Sequence, residues 1–76
     1  MKLSVITYFL ERPNINTINN ITKSQRRQVT VLTYLNQWFM DINHRSKKVS
    51  YKRGVVRNST IDGLVEYYQG KGYHID

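Results

Sequence analysis

Residues 22–42, TKSQRRQVTVLTYLNQWFMDI, decide the fold. They form the longest stretch that lacks Gly and Pro and carries a helical hydrophobic period. Val31, Leu35, Trp38 and Ile42 fall at steps of four, three and four, and Leu32 and Phe39 broaden the same stripe. One face is then wide enough to pack on a core. The opposite face reads Arg26, Thr30, Thr33 and Gln37, again at steps of four, three and four, with no acid. The spacing predicts a single long helix over Thr22–Ile42. Thr22 with Gln25 three residues on fits a capping box, and Ser24 is the competing cap. Either start puts Arg26 and Arg27 near the positive end of the helix dipole, where acids are the usual choice. Two arginines there are either ordinary solvated charges or wait for an external anion such as phosphate.

With 76 residues the chain reads as one small domain, residues 1–76, whose core is modest. The absence of Cys excludes disulfides, a thiolate zinc site and a Cys nucleophile, and fits a reducing compartment. No apolar run reaches the ~20 residues of a membrane span. The opening MKLSVITYFLERP lacks a small-residue cleavage site, so it does not read as a signal peptide. A cytoplasmic protein with no membrane partner is expected. The net charge of +7 is concentrated in the middle of the chain. Lys23, Arg26, Arg27, Arg45, Lys47, Lys48, Lys52, Arg53 and Arg57 stand there against Asp41 alone. Such a block is an electrostatic footprint for a polyanion, nucleic acid above all, although solubility alone also favours basic surfaces.

The flanks are less decisive. In residues 3–10, LSVITYFL, Leu3, Ile6, Phe9 and Leu10 share a helical face. The β-branched and aromatic residues there equally suit a strand. Pro13 ends the element in either case. Residues 14–21, NINTINNI, repeat Ile every three residues, which fits a short helix capped by Asn14 or Asn16. Residues 47–58, KKVSYKRGVVRN, read as a hairpin that turns at Gly54 and returns through Val55 and Val56. Ser59 or Thr60 caps a last helix with Ile61, Leu64, Val65 and Tyr68 on its buried face and Gly70 at its end. The tail KGYHID suits a final short strand.

The order of Ile18, Thr22, Ser24, Arg26, Arg27, Val29, Leu32 and Leu35, followed by a basic hairpin around Lys52-Arg53-Gly54, resembles the winged helix-turn-helix DNA-binding superfamily. Among its small members the chain is most similar to the short regulators of enterobacterial fimbrial operons. The resemblance covers about residues 3–58; Lys23 holds a turn position that such proteins often fill with Gly. It implies a mainly α fold with a small β-hairpin wing. It also implies a sequence-specific regulator of transcription bound to double-stranded DNA, acting as a homodimer or with a larger partner regulator.

In that arrangement Arg26, Arg27, Thr30, Thr33 and Gln37 would face base edges from the long helix, with Lys23 beside them. Lys47, Lys48, Lys52, Arg53 and Arg57 would neutralise backbone phosphates. No cofactor is expected, since Gly70 and Gly72 do not open a phosphate-binding loop. Catalysis is not expected either, because no acid–base pair is evident, and His44 and His74 make no metal site without converging acids. The rival reading takes residues 2–10 as a strand, which gives the ferredoxin-like order β-α-β-β-α-β in an α+β protein. Such a chain would be a small mobile-element or phage-type protein that modulates a host protein or nucleoprotein complex.

Overall fold

A computed structural model of the chain describes residues 3–12 and 16–76, with side chains from residue 7 onward in the first segment. Pro13, Asn14 and the Leu3 and Ile6 side chains, each given a part by the sequence, lie outside the described residues. The first element is a helix, α1 (Leu3–Glu11). Five strands follow: β1 (Thr17–Ile18), β2 (Ile21–Arg26), β3 (Val29–Tyr34), β4 (Gln37–Asn43) and β5 (Lys48–Tyr51). A second helix, α2 (Asn58–Gly70), and a short strand, β6 (His74–Ile75), complete the chain. The six strands form one sheet in chain order, antiparallel except for the last pair, where β6 runs parallel to β5.

This α+β architecture overturns the mainly α, winged-helix expectation. It also differs from the ferredoxin-like order, because α1 stands where that arrangement needs a strand. The long helix over Thr22–Ile42 does not exist; the stretch is β2, β3 and β4. The turns between them hold Arg27-Gln28 and Leu35-Asn36, and β1 turns into β2 at Asn19-Asn20. Asn19 and Asn20 have φ of 49° and 67°, and Leu35 and Asn36 have 49° and 68°. Positive φ at both centres is the pattern of the type I′ turn, whose twist matches that of the flanking strands. The helix expected across residues 14–21 is likewise replaced, from Thr17 on, by the β1–β2 hairpin.

Leu35 shows the cost of a hairpin without glycine. A leucine in the left-handed region is strained, and this one is 62% exposed, so its side chain recovers little by burial. Leu35→Gly is expected to stabilise the protein by about 1 kcal/mol, read from urea melts. Were Leu35 part of a helix, the same change would cost about as much.

Side-chain alternation sorts the sheet into two faces. Ile21, Leu32, Met40, Ile42 and Val49 point to one side and form the core with Phe9 of α1 and Ile61, Leu64 and Tyr68 of α2. Both helices therefore pack on the same face. The adjacent Phe39 and Met40 are both fully buried, which strict alternation forbids. A β-bulge explains it: Leu32 pairs with Met40 but Thr33 pairs with Trp38, leaving Phe39 as the extra residue.

The hairpin expected over residues 47–58 is absent. β5 pairs with β4 and β6, and Val55 and Val56 pack against the core from a loop. In α2 the expected apolar face is in place, although Arg57 rather than Ser59 or Thr60 stands at the N-cap. Gly72 takes the left-handed position after α2, at φ 87°. Tyr73 N donates to Tyr68 O and Gly72 N to Gln69 O, both at 3.0 Å, a Schellman motif two residues later than Gly70 suggested. The tail strand forms as expected, with His74 N donating to Lys47 O at 2.8 Å.

Candidate nucleic-acid interface

The β2–β3 and β4–β5 turns lie side by side at one end of the sheet, tied by His44 N donating to Gln28 O at 2.7 Å. They gather Arg26, Arg27, Arg45, Lys47 and Lys48, all exposed. Arg27 and Arg45 line one shallow depression with Gln28, Val29 and Asn43. Asn43 shapes the second turn, its Oδ1 accepting from the backbone N–H of Arg45 and of Ser46, both at 3.0 Å. Among the described residues the ion pairs are Arg53–Asp62 and Lys71–Glu11, so none of the five cations is neutralised by a neighbour.

Beneath the turns a chain of polar side chains fastens them to the end of the sheet. Gln25 Nε2 donates to Thr30 Oγ1 at 3.2 Å, Thr30 Oγ1 meets His44 Nε2 at 2.7 Å, and His44 Nδ1 meets the Tyr73 hydroxyl at 2.8 Å. Burial, with the Lys71 ammonium adding to it, holds the His44 imidazole below its ordinary 6.5. The unfolded chain then takes up a proton before the folded one does. Stability is full above 6.5 and falls as pH drops below it. Thermal melts on either side of that value should show the loss, and His44→Gln should shrink it.

The second feature is the sheet face that carries no helix. Strand pairing arranges its side chains in rows. Thr17, Thr22, Thr33 and Trp38 form one, and Ser24, Val31, Asp41 and Ser50 a second. Arg26, Val29, Asn43, Lys48 and His74 form a third, beside the basic turns. None of these residues is buried. Trp38, the chain's only tryptophan, is 36% exposed. Its indole hydrogen-bonds Asp41, whose carboxyl is raised above its ordinary 3.8 by partial burial and by the nearby Asp76, against that hydrogen bond.

The sequence-derived candidates scatter accordingly. Arg26, Arg27, Lys47 and Lys48 do converge, but on turns rather than on a helix and a wing. Lys23 does not belong to the surface. It is 4% exposed, and its ammonium donates to Phe9 O at 3.0 Å, Leu10 O at 3.3 Å and Arg12 O at 2.7 Å. Thr30 is buried in the polar chain, and so faces no groove. Thr33 is half-buried on the open face, while exposed Gln37 begins β4 at the far end. Lys52, Arg53 and Arg57 lie in the β5–α2 connection instead of on a wing. There Arg53 pairs with Asp62 at 2.7 Å and packs over Tyr51, and Arg57 borders a depression with Tyr34, Val55 and Val56.

The sequence reading counted Arg45 in the basic block but gave it no contact, and it placed Trp38 in the core. The strand-like run Val29–Tyr34, rich in β-branched residues, signalled strands, but alternation with Met40 and Ile42 alone would keep Trp38 inward; the bulge at Phe39 turns it outward. Among the described residues no cluster of metal-ligating side chains forms, and no helix is long and apolar enough to cross a membrane. Comparison with protein-family models, with curated proteins and with solved structures finds no match to this chain.

Proposed function

We propose that the protein binds nucleic acid, DNA in the first instance, through phosphate contacts made by the cationic end of its sheet. The observation that carries this reading is the convergence of Arg26, Arg27, Arg45, Lys47 and Lys48 on two adjacent turns, with no acid among the described residues paired to any of them. A recognition helix has no part in it, because the residues assigned to that helix are strands. The two turns stand together at the end of the sheet, so their arginines and lysines can meet the phosphate backbone along one edge. The role is non-enzymatic and cytoplasmic, and regulation of transcription is one use of it.

Phosphate contacts release counterions, so affinity must fall steeply with salt. Five contacts predict a slope of about −4.5 in a plot of log affinity against log salt, or a several-hundredfold loss over a fourfold rise in salt. Fluorescence anisotropy with labelled duplex DNA measures it. Affinity indifferent to salt, or no binding at low salt, would sink the reading; salt-resistant capture of a protein would favour the host-modulating alternative.

A further inference from the structure

The basic turns occupy one end of the sheet and leave unexplained a tryptophan on the uncovered face. Resting on the reading above, we infer that the β2–β3 side of this face, running from Arg26 across Ser24 and Val31 to Thr33 and to Trp38 at its β4 edge, takes a single strand of nucleic acid with a base stacked on the Trp38 indole.

Six strands at ~4.8 Å spacing make a face about 24 Å across, too wide to enter a major groove of about 12 Å. A duplex also keeps its bases paired and stacked, so it offers none to the indole. A single strand has no such limit, and its unpaired bases offer flat rings to an aromatic platform.

The face is suited to that use along one diagonal only. Thr22, Ser24 and Thr33 are short and leave the backbone approachable, and their hydroxyls can donate or accept. Arg26 stands at the start of the diagonal, next to the cationic turns. Trp38 stands about 17 Å away, four residues along and two strands across. Lys52, just past the end of β5, donates its N–H to Phe39 O at 2.9 Å, so its backbone lies beside the residue that follows Trp38. The acids border the path on its β5 side: Asp41 on β4, the cross-strand partner of Val31, and Asp76, which accepts from Ser50 Oγ at 3.2 Å. They repel a phosphate chain from β5 and β6 and leave β2 and β3 as its path.

Because Trp38 is the chain's only tryptophan, its emission reports on this site alone. The intact protein is titrated with a short oligodeoxythymidylate and with a duplex of equal length. The single strand should quench the emission and bind more tightly than the duplex. Trp38→Leu should weaken the oligodeoxythymidylate roughly 5- to 150-fold, and duplex binding much less, with circular dichroism confirming an intact sheet. Trp38→Phe, which keeps a ring, should recover part of the loss. The inference is overturned if the duplex binds as tightly as the single strand while emission stays unmoved, or if Trp38→Leu binds the oligonucleotide undiminished. Salt-dependent duplex binding in those cases leaves the phosphate-binding role standing. Failure of both nucleic acids at low salt removes the two readings together.

Discussion

Lys23→Met is expected to cost about 3 kcal/mol, a large part of the stability of so small a domain. The ammonium of Lys23 spends its three protons on the carbonyls of Phe9, Leu10 and Arg12, at and just past the end of α1. Of these, Phe9 O also accepts from Arg12 N at 3.4 Å, and a cation at this end answers the negative end of the helix dipole. A helix of nine residues is marginal by itself, so its hold on the sheet matters. Methionine keeps most of the apolar stem and removes all three bonds. Hydrogen bonds to charged groups contribute about 1.5–3 kcal/mol each. Burial offsets part of that, since it lowers Lys23 below its ordinary 10.5. Two of the three bonds are also only partly buried, which allows water to replace them. Urea melts should show the loss, and hydrogen exchange should place it first in α1. A variant within about 0.5 kcal/mol of the parent would mean that the buried ammonium is no more than tolerated.

Replacing Arg26, Arg27, Arg45 and Lys47 together by alanine should lower duplex affinity at low salt by two to three orders of magnitude and flatten the salt slope by about 3.6. The fold should hardly notice, because all four side chains are exposed and make no ion pair among the described residues. The control is an Arg12/Arg57 double alanine variant, which removes exposed cations elsewhere. A loss in the first variant with little change in the control would tie binding to the two turns. Equal losses per charge removed would mean that net charge alone attracts the polyanion, and no localised interface would remain.

How much of this was legible depends on the segment. The buried face of α2, Ile61, Leu64 and Tyr68, could be read from spacing, because a helix on a core leaves a clean period. The tail strand could be read too. Residues 3–10 stood open between helix and strand, and α1 resolves them as helix.

Residues 22–42 misled for a physical reason. Turns recur at Asn19-Asn20, Arg27-Gln28 and Leu35-Asn36, a repeat of eight residues with no glycine to mark it. Eight residues are close to two helical turns, so a meander of this pitch imitates helical periodicity. Val31, Leu35, Trp38 and Ile42 looked like one stripe, yet they occupy the open face, a turn, the open face and the core. The basic cluster was visible as composition, because Arg26, Arg27, Lys47 and Lys48 are close in kind and number. Its geometry was not, since only strand pairing brings the two turns together. Nor was the burial of Lys23, which depends on α1 ending above β2.

The meander also bears on how the chain reaches its folded state. From β1 to β5 each strand pairs with its immediate neighbour in the chain, so every closure is short and its entropic cost small. Zipping of successive hairpins is then the fast phase expected of a low-contact-order segment. What remains is the arrival of β6 beside β5 and the seating of α1 on the sheet, which join distant parts of the chain and are the slower steps expected.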